Sequence, residues 1–309
     1  MGSQRRKALP VSPGPDAPLT VMDSSRRWRQ NRYIYPVLAR RTGGISIGVN
    51  LNVDKICNFG CIYCEVNRRV APLTKDVDLE KLTAELQAAL AMARSGELLR
   101  DPRFAGQDAP GGAALRVTDI AFSGDGEPTS FRNFKAVVER TIALRDAAGL
   151  PDVKIVVITN ASLFHRPQVR EALALVDTAG GEVWAKLDAG TPDYFRLIDD
   201  TTIPYDRILR NIRDLGRAQP LVIQSCFMRV HGVGPGDDEI AAYIGRLQQF
   251  LADGARLTLV QVYSVSRPPA ESYVTALTPA ELEAIRSRVE MALGGVPVRR
   301  FDGTWTGAA

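Results

Sequence analysis

From residue 45 onward, the chain alternates short β-rich apolar runs with segments of helical periodicity. The segment 78–94, for example, repeats leucine at three- and four-residue intervals, as a helix with one buried face does. The predicted strands are 45–53, 117–122, 153–159, 182–187, 221–228 and 257–263, and the predicted helices are 78–94, 131–148, 167–176, 205–215, 239–252 and 279–293. Six such units in succession predict a parallel sheet with helices packed on its outer face.

The number of strand–helix units limits the architecture. A closed barrel of eight units typically needs about 250 residues of repeat, whereas six units already occupy most of this 309-residue chain. The expected fold class is therefore α/β, a partial (β/α)6 parallel barrel over 45–280. Ligands of such sheets bind at the carboxyl ends of the strands, so the residues that follow each strand are the functional candidates.

The segments outside the barrel differ in composition. Residues 1–22 are rich in Pro, Gly, Ser and Ala without apolar periodicity, which predicts a flexible tail. The segment 23–44 is expected to be a basic extension, and 281–309 a last helix with a short tail. The Gly- and Pro-rich stretch 95–114 is typical of a surface insertion.

Composition narrows the class of protein. Hydrophobic residues make up 45% of the chain and charged residues 24%, which is ordinary for a globular protein. No apolar run approaches the roughly 20 residues of a membrane helix, and no secretory signal is present. We expect a cytoplasmic protein without a membrane partner. The net charge of +4 is too small to indicate a partner by itself.

Arginines and aromatic residues are concentrated before the first predicted strand. They are Arg26, Arg27, Arg29, Arg32, Arg40 and Arg41, with Trp28, Tyr33 and Tyr35 between them. Such a segment can grip phosphates and stack on bases. One basic segment is a weak signal for nucleic acid, however, and a solvated or core-covering extension is the favoured interpretation.

Three of the four cysteines lie within eight residues, at Cys57, Cys61 and Cys64, with the spacing C-x3-C-x2-C. Three thiolates can hold three irons of a [4Fe–4S] cluster and leave the fourth iron open to a small molecule. A structural zinc site would need four ligands, and the only further candidates are the fourth cysteine and two histidines. The clustering therefore favours iron–sulfur over zinc, and a reducing compartment argues against disulfides.

Small and polar residues follow the second and third predicted strands. They are Ser123, Gly124, Asp125, Gly126 and Glu127 after the second strand and Thr159, Asn160 and Ser162 after the third. The glycines allow the backbone to approach a ligand closely, although a plain turn has the same composition. The residues after the third strand can hydrogen-bond a ribose or a carboxylate, or cap a helix.

Later strands carry polar residues on a single face. Lys186 and Asp188 share a face of the fourth strand, where they can contact a cofactor or substrate or form a mutual buried ion pair. Gln261 and Tyr263 share a face of the sixth strand.

Alternation on the fifth strand places Gln224, Cys226 and Met228 on one face. If that face lines the barrel, the Cys226 thiol can donate a hydrogen atom to a substrate radical, although a small buried apolar side chain is the favoured role. Arg229 and His231 follow the strand and can contact substrate or shape a loop.

Together these motifs resemble the radical S-adenosylmethionine superfamily, whose cysteine signature carries an aromatic residue, here Tyr63, before the last cysteine. The stretches FSGDGEPT, ITNAS, KLDAG and VQVYSVSRPPAE are similar to the branch of iron–sulfur oxidoreductases that includes the wyosine-forming tRNA synthase. The resemblance extends over roughly 45–280. No cysteine precedes Cys57, so the second cluster of that tRNA enzyme has no counterpart in residues 1–56.

The resemblance implies a [4Fe–4S] cluster on the three cysteines and S-adenosylmethionine as cofactor. It implies that residues 123–127 hold the methionine amino group, that Lys186 or Asp188 lies near the cofactor or substrate, and that the backbone after the sixth strand cradles adenine. Reductive cleavage of the cofactor would give a 5′-deoxyadenosyl radical that abstracts a hydrogen atom from the substrate. A flavodoxin- or ferredoxin-like protein would supply the electron.

Several substrates agree with these motifs. A base of tRNA or of a nucleotide is one. A partner protein activated by a glycyl radical is another, since such activases share the SGxGEPT stretch, and a peptide or small molecule is a third. A protein of another class, a non-catalytic iron–sulfur or zinc protein that binds RNA or regulates, would bind metal without cleaving S-adenosylmethionine.

Overall fold

The computed structural model describes residues 26, 28–66, 76–104, 108–109 and 112–301. The strands are β1 (Ile34–Ala39), β2 (Gly44–Val49), β3 (Val117–Phe122), β4 (Lys154–Thr159), β5 (Glu182–Lys186), β6 (Leu221–Cys226), β7 (Met228–Val230), β8 (Leu257–Tyr263), β9 (Val274–Ala276) and β10 (Val298–Phe301). The helices are α1 (Leu79–Ser95), α2 (Phe134–Ala147), α3 (Pro167–Thr178), α4 (Pro192–Asp199), α5 (Tyr205–Ala218), α6 (Asp237–Ala252) and α7 (Pro279–Leu293). The tail predicted at 1–22 lies outside the described residues.

Eight strands form one curled sheet in the order β1-β2-β3-β4-β5-β6-β8-β10. All neighbours from β2 to β10 are parallel, and only β1 is antiparallel. Each of β2, β3, β4, β5, β6 and β8 is followed by at least one helix. The α/β fold with six parallel strand–helix units in a partial barrel is therefore confirmed.

The two faces of the sheet bury different side chains. Ile155 and Val157 of β4 belong to the large core between sheet and helices. Val156 between them packs with Trp184 and Val222 in a small apolar cluster on the other face, inside the barrel. Because neighbours on a strand point to opposite faces, the helical side is largely apolar and the inner side can carry polar groups toward the strand ends.

A strand that the sequence did not predict precedes the first predicted strand. The expected strand 45–53 ends at Val49, and β1 precedes it within the basic extension. β1 pairs with β2 so that Ile34 lies opposite Val49 and Ala39 opposite Gly44. Pro36 is tolerated because β1 is an edge strand. Trp28, Tyr33 and Tyr35 are at most 5% exposed, so this extension covers the core, as its favoured interpretation requires.

Two further elements were not expected from the sequence. The helix α4 follows β5 directly, and Thr191 caps its first turn. The strands β7 and β9 form a separate antiparallel pair beyond β6. Within the described residues, no helix is both long and apolar enough to cross a membrane.

The stretch 95–114 is more than a surface insertion. Leu98 and Phe104 are fully buried in the main core. The Trp28 indole also donates a hydrogen bond to Asp101. The prediction of a surface loop was therefore wrong for 98–104, because two large apolar side chains outweigh the surrounding Gly and Pro.

Candidate active site

A cavity of about 370 Å³ opens on the inner face of the sheet, where the parallel strands end. Its lining brings together residues that follow several different strands, as expected for such a fold. The predicted residues that line it are Cys57, Cys61, Tyr63, Cys64, Ser123, Gly124, Gly126, Glu127, Thr159, Asn160, Lys186, Cys226 and Tyr263.

Four predicted residues lie just behind this lining. They are Asp125, Ser162, Asp188 and Gln261, and each forms a hydrogen bond to a residue that lines the cavity. Ser162 donates to Asn160 and also accepts from Asn58 of the cysteine loop. Gln261 accepts a 2.9 Å hydrogen bond from Gln224 of the neighbouring strand. These four side chains position the lining residues, and their assignment as cofactor contacts stays a prediction.

The cysteine loop is fixed by its contact with the end of α4. The Gly60 N–H lies 3.1 Å from the carbonyl oxygens of both Asp199 and Asp200, and the Ile62 N–H donates to Ile198 at 2.9 Å. A Cβ atom on Gly60 would lie 2.8 Å from the Asp200 carboxylate and 3.0 Å from its carbonyl oxygen, so a larger residue would require Asp200 to shift. The loop therefore lies closely on the helix and presents its cysteines to the cavity.

The three cysteines of the loop fit an iron–sulfur cluster. All three are free thiols, partly exposed, and line one cavity. Among the described residues, no three Cys, His, Asp or Glu side chains converge closely enough to share a single metal ion. A cluster binds one thiolate at each of several irons, so three separate thiols around one cavity are the donor set it requires.

Tyr63, the aromatic residue before Cys64, is joined to a buried ion pair. Its hydroxyl donates to Asp188 at 2.6 Å, and Asp188 lies 3.2 Å from the Lys186 ammonium. The ammonium donates to the Tyr263 hydroxyl at 2.6 Å, and the Cys226 N–H donates to the other Asp188 oxygen at 2.7 Å. The mutual ion pair predicted for Lys186 and Asp188 is therefore confirmed, and it links the cysteine loop to β5, β6 and β8.

Charges within this network shift the pKa values of its members. Burial acts to lower the pKa of Lys186, but Asp188 and Tyr263 outweigh it and hold that pKa well above its ordinary value. Burial and the negative charge of Asp188 raise the pKa of Tyr63. Lys186 is thus a permanent cation at the cavity and Tyr63 a permanent hydrogen-bond donor at neutral pH.

Cys61 lies beside a second buried carboxyl group. Its sulfur is 3.4 Å from the Asp199 carboxyl oxygen. Burial, with smaller contributions from Asp199 and Asp188, raises the pKa of the Cys61 thiol. Burial and Asp188 likewise raise the pKa of Asp199. In this negative surrounding, a bound cation at the thiolate would stabilise the ionised cysteine.

The glycines after β3 are needed for packing against the chain that follows β2. A Cβ atom on Gly124 would lie 2.2 Å from the Asn50 amide oxygen, and one on Gly126 would lie 2.2 Å from the Ile56 carbonyl oxygen. We expected these glycines to admit a ligand, but the close approach that the structure shows is to the chain itself. Asp125 between them accepts hydrogen bonds from Arg26 and Asn50 and so fixes the loop.

Glu127 joins the ends of β3 and β4. Its buried carboxylate accepts hydrogen bonds from Thr129, from the Thr159 hydroxyl at 2.7 Å and from the Asn160 N–H at 2.7 Å. Burial raises the pKa of Glu127, although these hydrogen bonds oppose the shift. The Asn160 side chain donates to Asn58 at 2.8 Å. Asn160, which Glu127 holds through its backbone N–H, therefore also anchors the cysteine loop.

Cys226 lies on the cavity wall as strand alternation predicted. Its side chain lines the cavity together with Gln224, although only 1% of the residue is exposed. Burial is the main reason why the pKa of its thiol is raised, so Cys226 is a neutral thiol at pH 7. Its assignment as a hydrogen-atom donor stays a prediction.

Arg229 and His231 are engaged in the β7–β9 pair. Arg229 forms an ion pair with Glu281 of α7. The His231 ring stacks on Tyr273 with ring centroids 4.6 Å apart. Neither residue lines the cavity. The sequence left open whether these two residues contact substrate or shape a loop, and their contacts support the role in the loop.

One side of the cavity was not predicted to be part of the site, although its two arginines belong to the basic segment noted in the sequence. Residues 37–42, which we call the hairpin wall, end β1 and turn toward β2, and all of them line the cavity. Asp119, Trp184 and Arg267 were also missed. Strand alternation could have found Asp119 and Trp184, since they lie two residues before Ala121 and Lys186 on the same face. Two β-rich runs separated by a Gly-containing loop would have indicated the hairpin.

Comparison with protein-family models shows the superfamily to which the chain belongs. The model of the Radical SAM superfamily matches residues 51–245, which is more than half of the chain. The chain belongs to this superfamily, and the family expected from its cysteine motif is confirmed. Membership implies binding of S-adenosylmethionine and of an iron–sulfur cluster.

Curated relatives match only part of the chain. It is 30% identical over 157 residues to a UPF0026 protein of Synechocystis, an alignment that covers 50% of this chain and 48% of the relative. It is 25% identical over 194 residues to a protein named GTPase Obg of Brachyspira hyodysenteriae, covering 61% of this chain and 24% of that protein. The chain thus spans less than half the length of these relatives.

Solved structures support the fold. A radical SAM methyltransferase from Sphaerobacter thermophilus has a TM-score of 0.55 at 16% identity, covering 84% of this chain and 66% of the other. A structure of TYW1 with a lysine-pyruvate adduct bound has a TM-score of 0.47 at 18% identity, covering 81% of this chain and 74% of that one. The first likeness confirms the partial barrel.

Proposed function

We propose that this chain is an enzyme that reductively cleaves S-adenosylmethionine at a [4Fe–4S] cluster bound by Cys57, Cys61 and Cys64. The observation that carries the proposal is that these three free thiols line the same cavity as the polar residues at the ends of β3, β4 and β5. When bound on these cysteines, the cluster would supply the electron that cleaves the cofactor, and the cofactor would supply the radical chemistry that removes a hydrogen atom from the substrate.

The chain's own residues hold and orient these groups. Tyr63 and Asp188 fix the cysteine loop against β5, and Asn160 fixes it against β4 through Asn58. The Lys186 ammonium contributes a fixed positive charge at the cavity, and the Tyr263 hydroxyl accepts its hydrogen bond. The apolar cluster around Val156 and Trp184 lies inside the barrel, where it would limit the access of water to reactive species.

We further propose a nucleotide base, free or in RNA, as the substrate. The arginines on the cavity wall support this choice, because guanidinium groups bind phosphates well. The electron would come from a flavodoxin- or ferredoxin-like protein. A thiolate-held cluster requires a reducing compartment, so we place the reaction in the cytoplasm.

The test is anaerobic reconstitution with iron and sulfide, followed by dithionite and S-adenosylmethionine. We expect a bound [4Fe–4S] cluster and formation of 5′-deoxyadenosine, and Cys61→Ala should reduce that product below detection. Cys226→Ala is the matched control for iron content, since it removes the one thiol outside the loop. Unchanged 5′-deoxyadenosine formation by Cys61→Ala, or uptake of zinc alone by the wild-type chain, would overturn the proposal.

A further inference from the structure

The hairpin wall carries two arginines that form no ion pair within the part of the chain that the structure describes. Arg40 and Arg41 both line the cavity. Among the described residues, no carboxylate lies within ion-pair distance of either guanidinium group. The Arg41 guanidinium carbon lies 4.4 Å from the centroid of the Tyr263 ring. Its Nε atom is buried and has no hydrogen-bond partner among the residues that the structure describes.

The other cations of the cavity differ in this respect. Each of them has a carboxylate partner: Arg26 with Asp125 at 2.7 Å, Arg267 with Glu65 at 3.0 Å and Lys186 with Asp188 at 3.2 Å. The cavity carboxylate of Asp119 is occupied by hydroxyl donors from Thr42, Ser46 and Thr118. Positive charge in excess of negative charge is therefore concentrated at the hairpin wall.

This excess charge is unfavourable in the chain alone. Burial, together with repulsion from Arg41 and Arg267, lowers the pKa of Arg40 to about 10, although Glu65 and Tyr263 act against this shift. The group remains protonated at neutral pH, but its charged form is destabilised relative to water. An anion between the two guanidinium groups would offset both the burial and the repulsion.

We propose that Arg40 and Arg41 bind an anionic group of the substrate, a carboxylate or a phosphate, beside the Tyr263 ring. Calling the ligand a substrate rests on the proposed function. Binding of the anion itself requires neither the cluster nor cleavage of S-adenosylmethionine. A guanidinium group offers parallel N–H donors that match the oxygens of either anion. The aromatic ring holds the Arg41 side chain in place and so limits the entropy lost on binding.

The test is calorimetric titration of the 309-residue chain, both reconstituted and without iron, with inorganic phosphate and separately with acetate. We expect one of the two anions to bind wild-type protein, and the preferred one identifies the type of anion. The double variant Arg40→Gln/Arg41→Gln should bind it about 10- to 100-fold more weakly. Arg41→Lys, which keeps the charge but loses the planar donor pair, should bind with intermediate affinity.

The matched control is Arg210→Gln, which removes one exposed arginine from α5. It should bind the anion as the wild-type chain does. A circular-dichroism unfolding curve for each variant establishes that the double variant is folded. If it is not, Arg41→Lys decides, since wild-type affinity in that folded variant would overturn the proposal.

Three results would overturn the proposal. The first is equal anion affinity in the double variant and the wild type, and the second is no binding of either anion to wild-type protein. The third is displacement of the bound anion by methionine, which would assign the two arginines to the cofactor's carboxylate instead. None of these depends on 5′-deoxyadenosine formation, so failure of the cleavage assay and failure of this proposal are distinguishable.

Discussion

Two walls of the cavity differ in whether their cationic side chains are paired with carboxylates. On the cysteine-side wall, which comprises the cysteine loop with Lys186 and Cys226, the Lys186 ammonium is paired with Asp188, and that carboxylate also accepts from Tyr63 and the Cys226 N–H. On the hairpin wall, Arg40 and Arg41 have no carboxylate partner among the described residues. An ion pair that is satisfied internally is fixed before a ligand arrives, whereas we propose that the charge of the two arginines is completed by the ligand.

The first prediction breaks the compensated wall. Lys186→Met keeps the apolar stem but leaves Asp188, whose side chain is 1% exposed, buried without a cation. We expect the free energy of unfolding to fall by about 3–5 kcal/mol, because an unpaired buried charge is strongly destabilising. Urea unfolding of the iron-free chain measures this, so that loss of the cluster does not contribute.

The control for this prediction is an exposed pair of the same sheet. Lys154→Met removes the partner of Glu182, and both side chains are at least 30% exposed. That change should lower stability by at most about 1 kcal/mol. The double variant Lys186→Met/Asp188→Asn should recover part of the lost free energy of unfolding, because it also removes the unpaired charge of Asp188. Equal effects of Lys186→Met and Lys154→Met would refute the contrast between the pairs.

Much of the cysteine-side wall follows from the sequence because its strands are parallel. The predicted bounds of β8 and α7 agree with the structure, and the polar residues after β3, β4 and β5 converge because parallel strands end at one edge. Spacing also predicted that Lys186 and Asp188 share a face, and the structure shows the pair.

The hairpin itself has a local sequence signal, but the contacts of the hairpin wall could not be predicted in the same way. β1 contains Pro36 and is followed by two arginines, so it lacks the continuous apolar run of the inner strands. Its place depends on an antiparallel register with β2, and its contact with Tyr263 joins residues more than 200 positions apart in sequence. Similarly, the Asp125 between the two glycines has Arg26 as its partner, 99 residues away. Local patterns do not carry such pairings.

The second prediction sharpens the comparison on the cysteine side. Gly126→Ala would place a Cβ atom 2.2 Å from the Ile56 carbonyl oxygen, so one of the two backbone segments must move. We expect a loss of about 1–3 kcal/mol of stability and reduced iron uptake, because Ile56 precedes Cys57. Chemical unfolding and iron content after reconstitution measure the two effects.

Gly245→Ala is the matched control for the glycine. Gly245 lies inside α6, and a Cβ atom there would meet nothing within 4 Å. Alanine should therefore stabilise the helix by about 0.5–1 kcal/mol. Should Gly126→Ala behave like Gly245→Ala, the loop after β3 would not be packed as tightly as the structure shows.

The smallest expected effect concerns the pH dependence of stability and lies at Asp119 of β3, which contacts the hairpin wall through Thr42. Asp119 faces the cavity among three hydroxyl donors, and burial raises its pKa despite their hydrogen bonds. A carboxyl group whose pKa is higher in the folded state contributes stability in full below its ordinary pKa of about 4. That contribution is lost as the pH rises through the folded pKa. Asp119→Asn should remove this loss, so its free energy of unfolding should fall less than that of the wild type from acid to neutral pH.

Glu281 provides a control of opposite sign. Hydrogen bonds from Thr278 at the start of α7 lower its pKa. Its contribution is therefore present above the ordinary pKa and lost as the pH falls through the folded one. Glu281→Gln should then flatten the acid side of the stability profile, whereas Asp119→Asn flattens the side above it. Urea midpoints across the acid range distinguish the two variants. A wild-type slope in Asp119→Asn would show that the hydroxyl groups of Thr42, Ser46 and Thr118 already compensate this charge. In that event the uncompensated charge of the wall would be that of its arginines alone.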